Sequence, residues 1–141
     1  MTSGYSILGK AAAALVFFGL AGCIATADAP VEGSESALPE GSAVALGQPV
    51  MIGELVLTPM RVTQDSRCPI NARCTHAGTI IVETRINGSG WRETVSLLLA
   101  NPLRLRGYSL SLVSVEPGQV AGAGPIDPAR YRFTFEGQSI P

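Results

Sequence analysis

On both sides of a short turn in the middle of this chain, polar and apolar residues alternate with a period of two, and that pattern restricts the fold more than any other feature. Across residues 79–86, Ile80, Val82, Thr84 and Ile86 fall on one face and Ile81, Glu83 and Arg85 on the other, the spacing of a half-buried strand. Asn87-Gly88-Ser89-Gly90 follows, rich in residues that tolerate positive φ, and reads as a hairpin loop. The return run sets Trp91, Glu93, Val95, Leu97 and Leu99 against Arg92, Thr94, Ser96 and Leu98. Other segments repeat the period: Val44 and Leu46; Leu55, Leu57 and Val62, with Pro59 expected to bend or bulge the strand; Leu103 and Leu105; Tyr108, Leu110 and Leu112, then Val115 after a phase shift near Val113; and Tyr131, Phe133 and Phe135 as the inward stripe of a last strand. No stretch after Ser42 shows a helical repeat. About seven short strands punctuated by Gly, Pro and Asn predict an all-β fold, a small antiparallel β-sandwich of immunoglobulin-like size, with a small β-barrel as the alternative.

The three cysteines set the compartment. Residues 1–22 have the parts of a lipoprotein signal in order: Lys10, the apolar run of residues 11–20, and then Leu20-Ala21-Gly22 before Cys23. That run is about half of the roughly 20 residues a membrane-spanning helix needs. Cleavage before Cys23 frees its thiol for a diacylglycerol and its amine for acylation, and two or three chains make a lasting anchor. An ordinary signal peptide cut elsewhere is the plainer alternative. It would leave Cys23 an unpaired thiol in an oxidising compartment. With Cys23 lipidated, Cys68 and Cys74 remain as the natural pair for one disulfide, closing a short turn and restricting the unfolded chain by roughly 2 to 2.5 kcal/mol.

The sequence divides accordingly. After the signal, residues 23–42 form the lipidated cysteine and a small, acidic stretch with Asp28, Glu32, Glu35 and Glu40 and no base. This composition reads as a tether with a reach of roughly 25 Å. Residues 43–137 are expected to form one β domain and 138–141 a tail. Ile24, after the cysteine, is not the aspartate of inner-membrane retention, so outer-membrane sorting on the periplasmic side is the expectation if the host is Gram-negative.

Within the domain the most specific motif is Asp65-Ser66-Arg67-Cys68-Pro69, followed by Arg73-Cys74-Thr75-His76-Ala77-Gly78. It resembles a family of uncharacterised bacterial exported proteins and lipoproteins marked by Asp-Ser-Arg-Cys-Pro and then Cys-x-Trp-Ala-Gly. The resemblance implies a small exported β domain with a disulfide-closed turn, and no established activity comes with it. His76 stands where that family has tryptophan. Arg67 and Arg73 are both expected near Asp65, bracing the turn by ion pairing.

Several function classes are disfavoured. The part after the signal has nine arginines, no lysine and eleven acidic residues, a balance that argues against nucleic acid and removes lysine Schiff-base chemistry. His76 is the sole histidine, too few for common catalytic zinc sites, and no nucleophile-elbow motif accompanies it. No cofactor is expected. The leading expectation is a non-enzymatic, membrane-tethered module that binds an envelope protein or has a structural role, the lipid bilayer being engaged through Cys23. Two alternatives stand beside it: an envelope copper or other metal protein using His76, Cys68, Cys74 and possible methionine ligands Met51 or Met60, and a small hydrolase using His76. The loop of residues 117–129 is long for a compact domain, either a recognition surface or merely mobile, and its Gly and Ala content offers little to grip a ligand.

Overall fold

The computed structural model describes residues 36–141. The signal segment, Cys23 and most of the expected tether lie outside the described residues.

Seven strands follow in chain order: β1 (Val50–Ile52), β2 (Leu55–Asp65), β3 (Ile80–Gly88), β4 (Trp91–Leu98), β5 (Leu103–Leu105), β6 (Tyr108–Glu116) and β7 (Arg132–Ser139). They form two antiparallel sheets, one of four strands in the order β1-β2-β3-β4 and one of three in the order β5-β6-β7. The sheets do not close into a barrel, so the sandwich is the architecture. The only helical element among the described residues is a 3-10 turn, Pro128–Arg130, capped by the Asp127 carboxylate accepting from Ala129 N.

The alternation reads directly as burial. Ile80, Val82, Thr84 and Ile86 of β3 are buried, with Leu55 and Leu57 of β2 and Leu97 of β4 beside them. Leu110, Leu112 and Val115 of β6 and Phe133 and Phe135 of β7 form the facing layer, with Tyr131 buried just ahead of β7. Three register shifts interrupt the pairing, one of them between Val62 and Gln64 near the end of β2, and the other two change which face is buried. Pairing shifts between Pro59 and Arg61, so Met60 is the extra residue and turns outward. It shifts again between Leu112 and Ser114, leaving Val113 outside and bringing both Leu112 and Val115 into the core. A bulge adds one residue to one strand and so resets which face follows.

The β3–β4 hairpin is tighter than the four-residue loop expected from Asn87-Gly88-Ser89-Gly90. Gly88 pairs with Trp91, so the connection is Ser89-Gly90, with Gly90 at φ 77°. Gly88 has no room for a Cβ because the Trp91 indole lies against it. The Arg106 guanidinium sits 4.7 Å from the Trp91 ring centroid and donates from Nε to Glu93 at 3.3 Å. Trp91 is thus edge packing of the hairpin.

The domain boundaries shift at both ends. Leu38 lies along the outer edge of β1, donating to Pro49 O at 3.0 Å and accepting from Met51 N at 2.7 Å. Glu40 accepts from Gly137 N at 3.0 Å. Residues 38–42, expected in the tether, therefore belong to the fold. Gln138 and Ser139, expected in a tail, pair with Ser109 and Tyr108. Both corrections have one cause: strand edges recruit any adjacent backbone, whatever its composition, to satisfy their polar groups.

Candidate functional site

The Asp-Ser-Arg-Cys-Pro motif begins on the last residue of β2 and continues that strand as a narrow extension against the approach to β3. Ser66 N donates to Thr79 O at 2.8 Å, Thr79 N to Ser66 Oγ at 3.2 Å, and Cys68 N to Ala77 O at 2.9 Å. Gly78 sits at φ 66°, and a Cβ there would run into the Ser66 carbonyl. Close approach of the two strands therefore requires glycine at this position. Beyond Cys68 the chain turns at Pro69, whose carbonyl accepts from Ala72 N at 3.1 Å. The Cys68–Cys74 disulfide then closes the tip.

Asp65 and Arg67 are the fixed point beneath that tip. Their side chains are 8% and 12% exposed and form a bidentate pair, Nη2 to Oδ2 at 2.7 Å and Nε to Oδ1 at 2.8 Å. Arg67 also reaches the other sheet, donating from Nη1 to Val115 O at 2.8 Å and from Nη2 to Pro117 O at 3.0 Å. Tyr131 donates its hydroxyl to Asp65 Oδ2 at 2.8 Å. Burial by itself would raise the Asp65 carboxyl, but hydrogen bonds from Arg67 and Tyr131 and the Arg67 charge outweigh it and hold the group below its ordinary range. The Arg67 guanidinium is held more firmly charged, chiefly by its hydrogen bond to Asp65 against the opposing effect of burial. The Tyr131 phenol is pushed up to about 12, first by burial and then by the carboxylate it bonds.

The loop that joins β6 to the 3-10 turn packs against this structure. Gln119 Nε2 donates to Asp65 O at 2.8 Å, Ile70 N to Gln119 O at 2.9 Å, and Ala121 N to Asn71 Oδ1 at 2.8 Å. Gly118 lies against the Ile70 side chain and has no space for a Cβ. The disulfide turn and the Gly-rich loop thus form one body. A shallow hollow of about 320 Å³ remains between them, lined by Asp65, Gln119, Val120, Pro125, Ile126 and Tyr131 among others. On the outer surface Ile70 is 76% exposed and Val120 43% exposed.

The other motif residues separate by role. Ser66 braces the strand extension and Pro69 opens the turn. Arg73 is exposed and pairs with no acid among the described residues, so Arg67 alone braces Asp65. The expected second brace fails because the disulfide turns residue 73 to the outside of the tip. His76 is exposed in the same stretch. Met51 stands in β1 and Met60 in the β2 bulge, both exposed. Among the described residues no group of three or more His, Cys, Asp or Glu side chains is placed to hold a metal. Sequence reasoning missed Tyr131 as a polar partner, reading it as core, and missed the bonds that Gln119 and Asn71 make. Nothing in a single sequence signals contacts across about 50 positions.

Searches against protein-family models, curated proteins and solved structures give no match.

Proposed function

We propose that this chain is a bacterial lipoprotein anchored in the cell envelope through acylated Cys23, and that its β-sandwich is a non-enzymatic binding module presenting the disulfide turn to another envelope component. The anchor rests on the order of charge, apolar run and Leu-Ala-Gly-Cys at residues 20–23. The resemblance of the Asp65–Pro69 motif to exported proteins points the same way. Periplasmic exposure from an outer membrane is the location that residue 24 favours in a Gram-negative host.

One observation carries the binding role: a rigid loop pair holds Ile70 and Val120 out in solvent. Both loops are tied down by a disulfide, a buried ion pair and three inter-loop hydrogen bonds to Gln119 and Asn71 groups. Such a surface loses little entropy on binding, because it is ordered beforehand. Polar groups that would serve chemistry are engaged elsewhere. Both Asp65 oxygens accept from Arg67 or Tyr131, so this carboxylate is not available to orient His76.

Intact-mass analysis of the native N-terminus tests the anchor, with an acylated Cys23 as the expected result. Crosslinking from intact cells tests the module. The wild type is expected to recover a partner above a tether-only control, and Ile70→Asp is expected to lose it while keeping its unfolding midpoint. Equal recovery with the tether alone would reject the binding role.

A further inference from the structure

The outward face of the four-stranded sheet contains a charge with nothing to meet it. Glu83, Arg85 and Asn87 follow one another at alternate positions on that side of β3. Glu83 is taken by Arg61 of β2, Nη2 to Oε2 at 2.9 Å. Asn87 is taken by Arg92 of β4, Nε to Oδ1 at 2.7 Å. Arg85, between them, pairs with no acid among the described residues. Its Nε is shut away from solvent and has no acceptor. In register it stands between Thr58 of β2 and Thr94 of β4, which bring hydroxyls and no charge. Arg92 spends its Nε on a neutral amide, so this face holds two guanidinium charges, at Arg85 and Arg92, that no carboxylate among the described residues balances. An enclosed donor without an acceptor is costly, and so is seldom left in a folded protein.

The chain joins the domain at the edge of this same sheet. Leu38 runs parallel to β1 along its outer side, and the sequence just before it holds Asp28, Glu32 and Glu35 with no base between residues 25 and 42. From the Leu38 position to β3 is three strand spacings, about 14 Å. The six residues from Glu32 to Leu38 span up to about 20 Å when extended. Reach and charge therefore agree for Glu32, and for Asp28 before it, whereas the three residues from Glu35 to Leu38 span only about 10 Å.

We propose that the outward face of the four-stranded sheet is a carboxylate-binding surface centred on Arg85, and that its occupant is the acidic stretch of this same chain containing Asp28, Glu32 and Glu35. Arg85 and Arg92 receive the carboxylates, with the exposed Thr94 as a neighbouring hydroxyl; Thr58, opposite Arg85 in register, is buried. Exposed ion pairs are individually weak, but attachment in the same chain supplies a high effective concentration. This surface is separate from the disulfide end, and the proposal stands whether or not Cys23 is acylated.

The test follows the Arg85 Nε–H resonance by NMR in the whole chain. Neutralising the stretch with Asp28→Asn, Glu32→Gln and Glu35→Gln is expected to move that resonance, and raising the salt concentration is expected to move the wild-type signal in the same direction. These substitutions lie outside the described residues, and strand circular dichroism is expected to be unchanged. In parallel, Arg85→Gln with Arg92→Gln is expected to raise the rate of Glu-specific proteolysis after Glu32 and Glu35 several-fold, with strand circular dichroism unchanged. An Arg85 resonance identical in the wild-type and neutralised chains overturns the proposal. So does a shift that depends on protein concentration, which assigns the face to a second copy, or one that arises only on adding a polyglutamate peptide in trans.

Discussion

Tyr131 adds a polar tie between the two halves of the sandwich through one hydroxyl. It sits among buried aromatics, its ring stacked 5.7 Å from Phe133, yet donates to Asp65 on the opposite sheet. Tyr131→Phe keeps the ring and removes the bond, so denaturant unfolding is expected to show a loss of about 2 kcal/mol, the range for a hydrogen bond to a charged group. The same variant tests the pH linkage. Because the folded phenol titrates at about 12 and an unfolded one at about 10, the native state holds its proton more tightly. Its contribution is complete below pH ~10 and disappears as pH rises through the folded value. The wild type is therefore expected to lose stability across that window, and Tyr131→Phe to lose less. Asp65 behaves oppositely. Its lowered carboxyl contributes above its unfolded value near 4, and the contribution is lost as pH falls through the folded one. Arg67→Ala strands the Asp65 carboxylate and two carbonyls together, and about 3 kcal/mol or more is the expected cost. Arg67→Lys is expected to recover little, since one ammonium cannot make a bidentate bond and also reach the carbonyls of Val115 in β6 and Pro117 just after it.

The disulfide turn illustrates what is readable at the level of elements and what is not. Its closure, the β3–β4 hairpin, the Pro59 bulge and the phase shift at Val113 were all legible, because each is set by residues within a few positions of one another. Docking of the turn on the 117–126 loop was not, since Arg67 to Pro117 and Ile70 to Gln119 are contacts between distant segments that share no local pattern. Nor did spacing distinguish Arg67 from Arg73: both lie near Asp65 in sequence, and only the path of the closed turn directs one inward. These two layers of support predict a graded response. Replacing Cys68 and Cys74 with serine is expected to lower stability by roughly 2 to 2.5 kcal/mol, following the size of the closed loop. Backbone exchange protection at Ser66 and Thr79 is expected to persist, because the ladder and the Asp65–Arg67 pair remain. Gly78→Ala is expected to do the reverse. Its Cβ would meet the Ser66 carbonyl at a positive φ, so protection at Ser66 and Thr79 falls even with the disulfide intact.

At the scale of the whole molecule, composition and pairing disagree on where the domain begins. Residues 36–42 are small, polar and acidic, like the stretch before them, and composition assigns them to a tether. The sheet assigns them otherwise: Leu38 completes the outer edge of β1, packs against the core, and is followed by Glu40 bonded to the backbone of β7. A chain beginning at Ala43 gives up two backbone hydrogen bonds, one side-chain hydrogen bond and a partly buried leucine. Together these amount to about 2 to 4 kcal/mol. It also bares the unpaired edge of β1, a template for pairing with another chain. Compared with a chain beginning at Ser36, the shorter one is expected to unfold at lower denaturant concentration and to show reversible association by sedimentation. Leu38→Asp in the longer chain separates the two effects. The hydrogen bonds at residue 38 are made by backbone and survive the substitution, so stability is expected to fall by the leucine contribution alone, with no gain in association. Association in that variant equal to the truncated chain's would show that the apolar side chain, rather than the paired backbone, guards the edge.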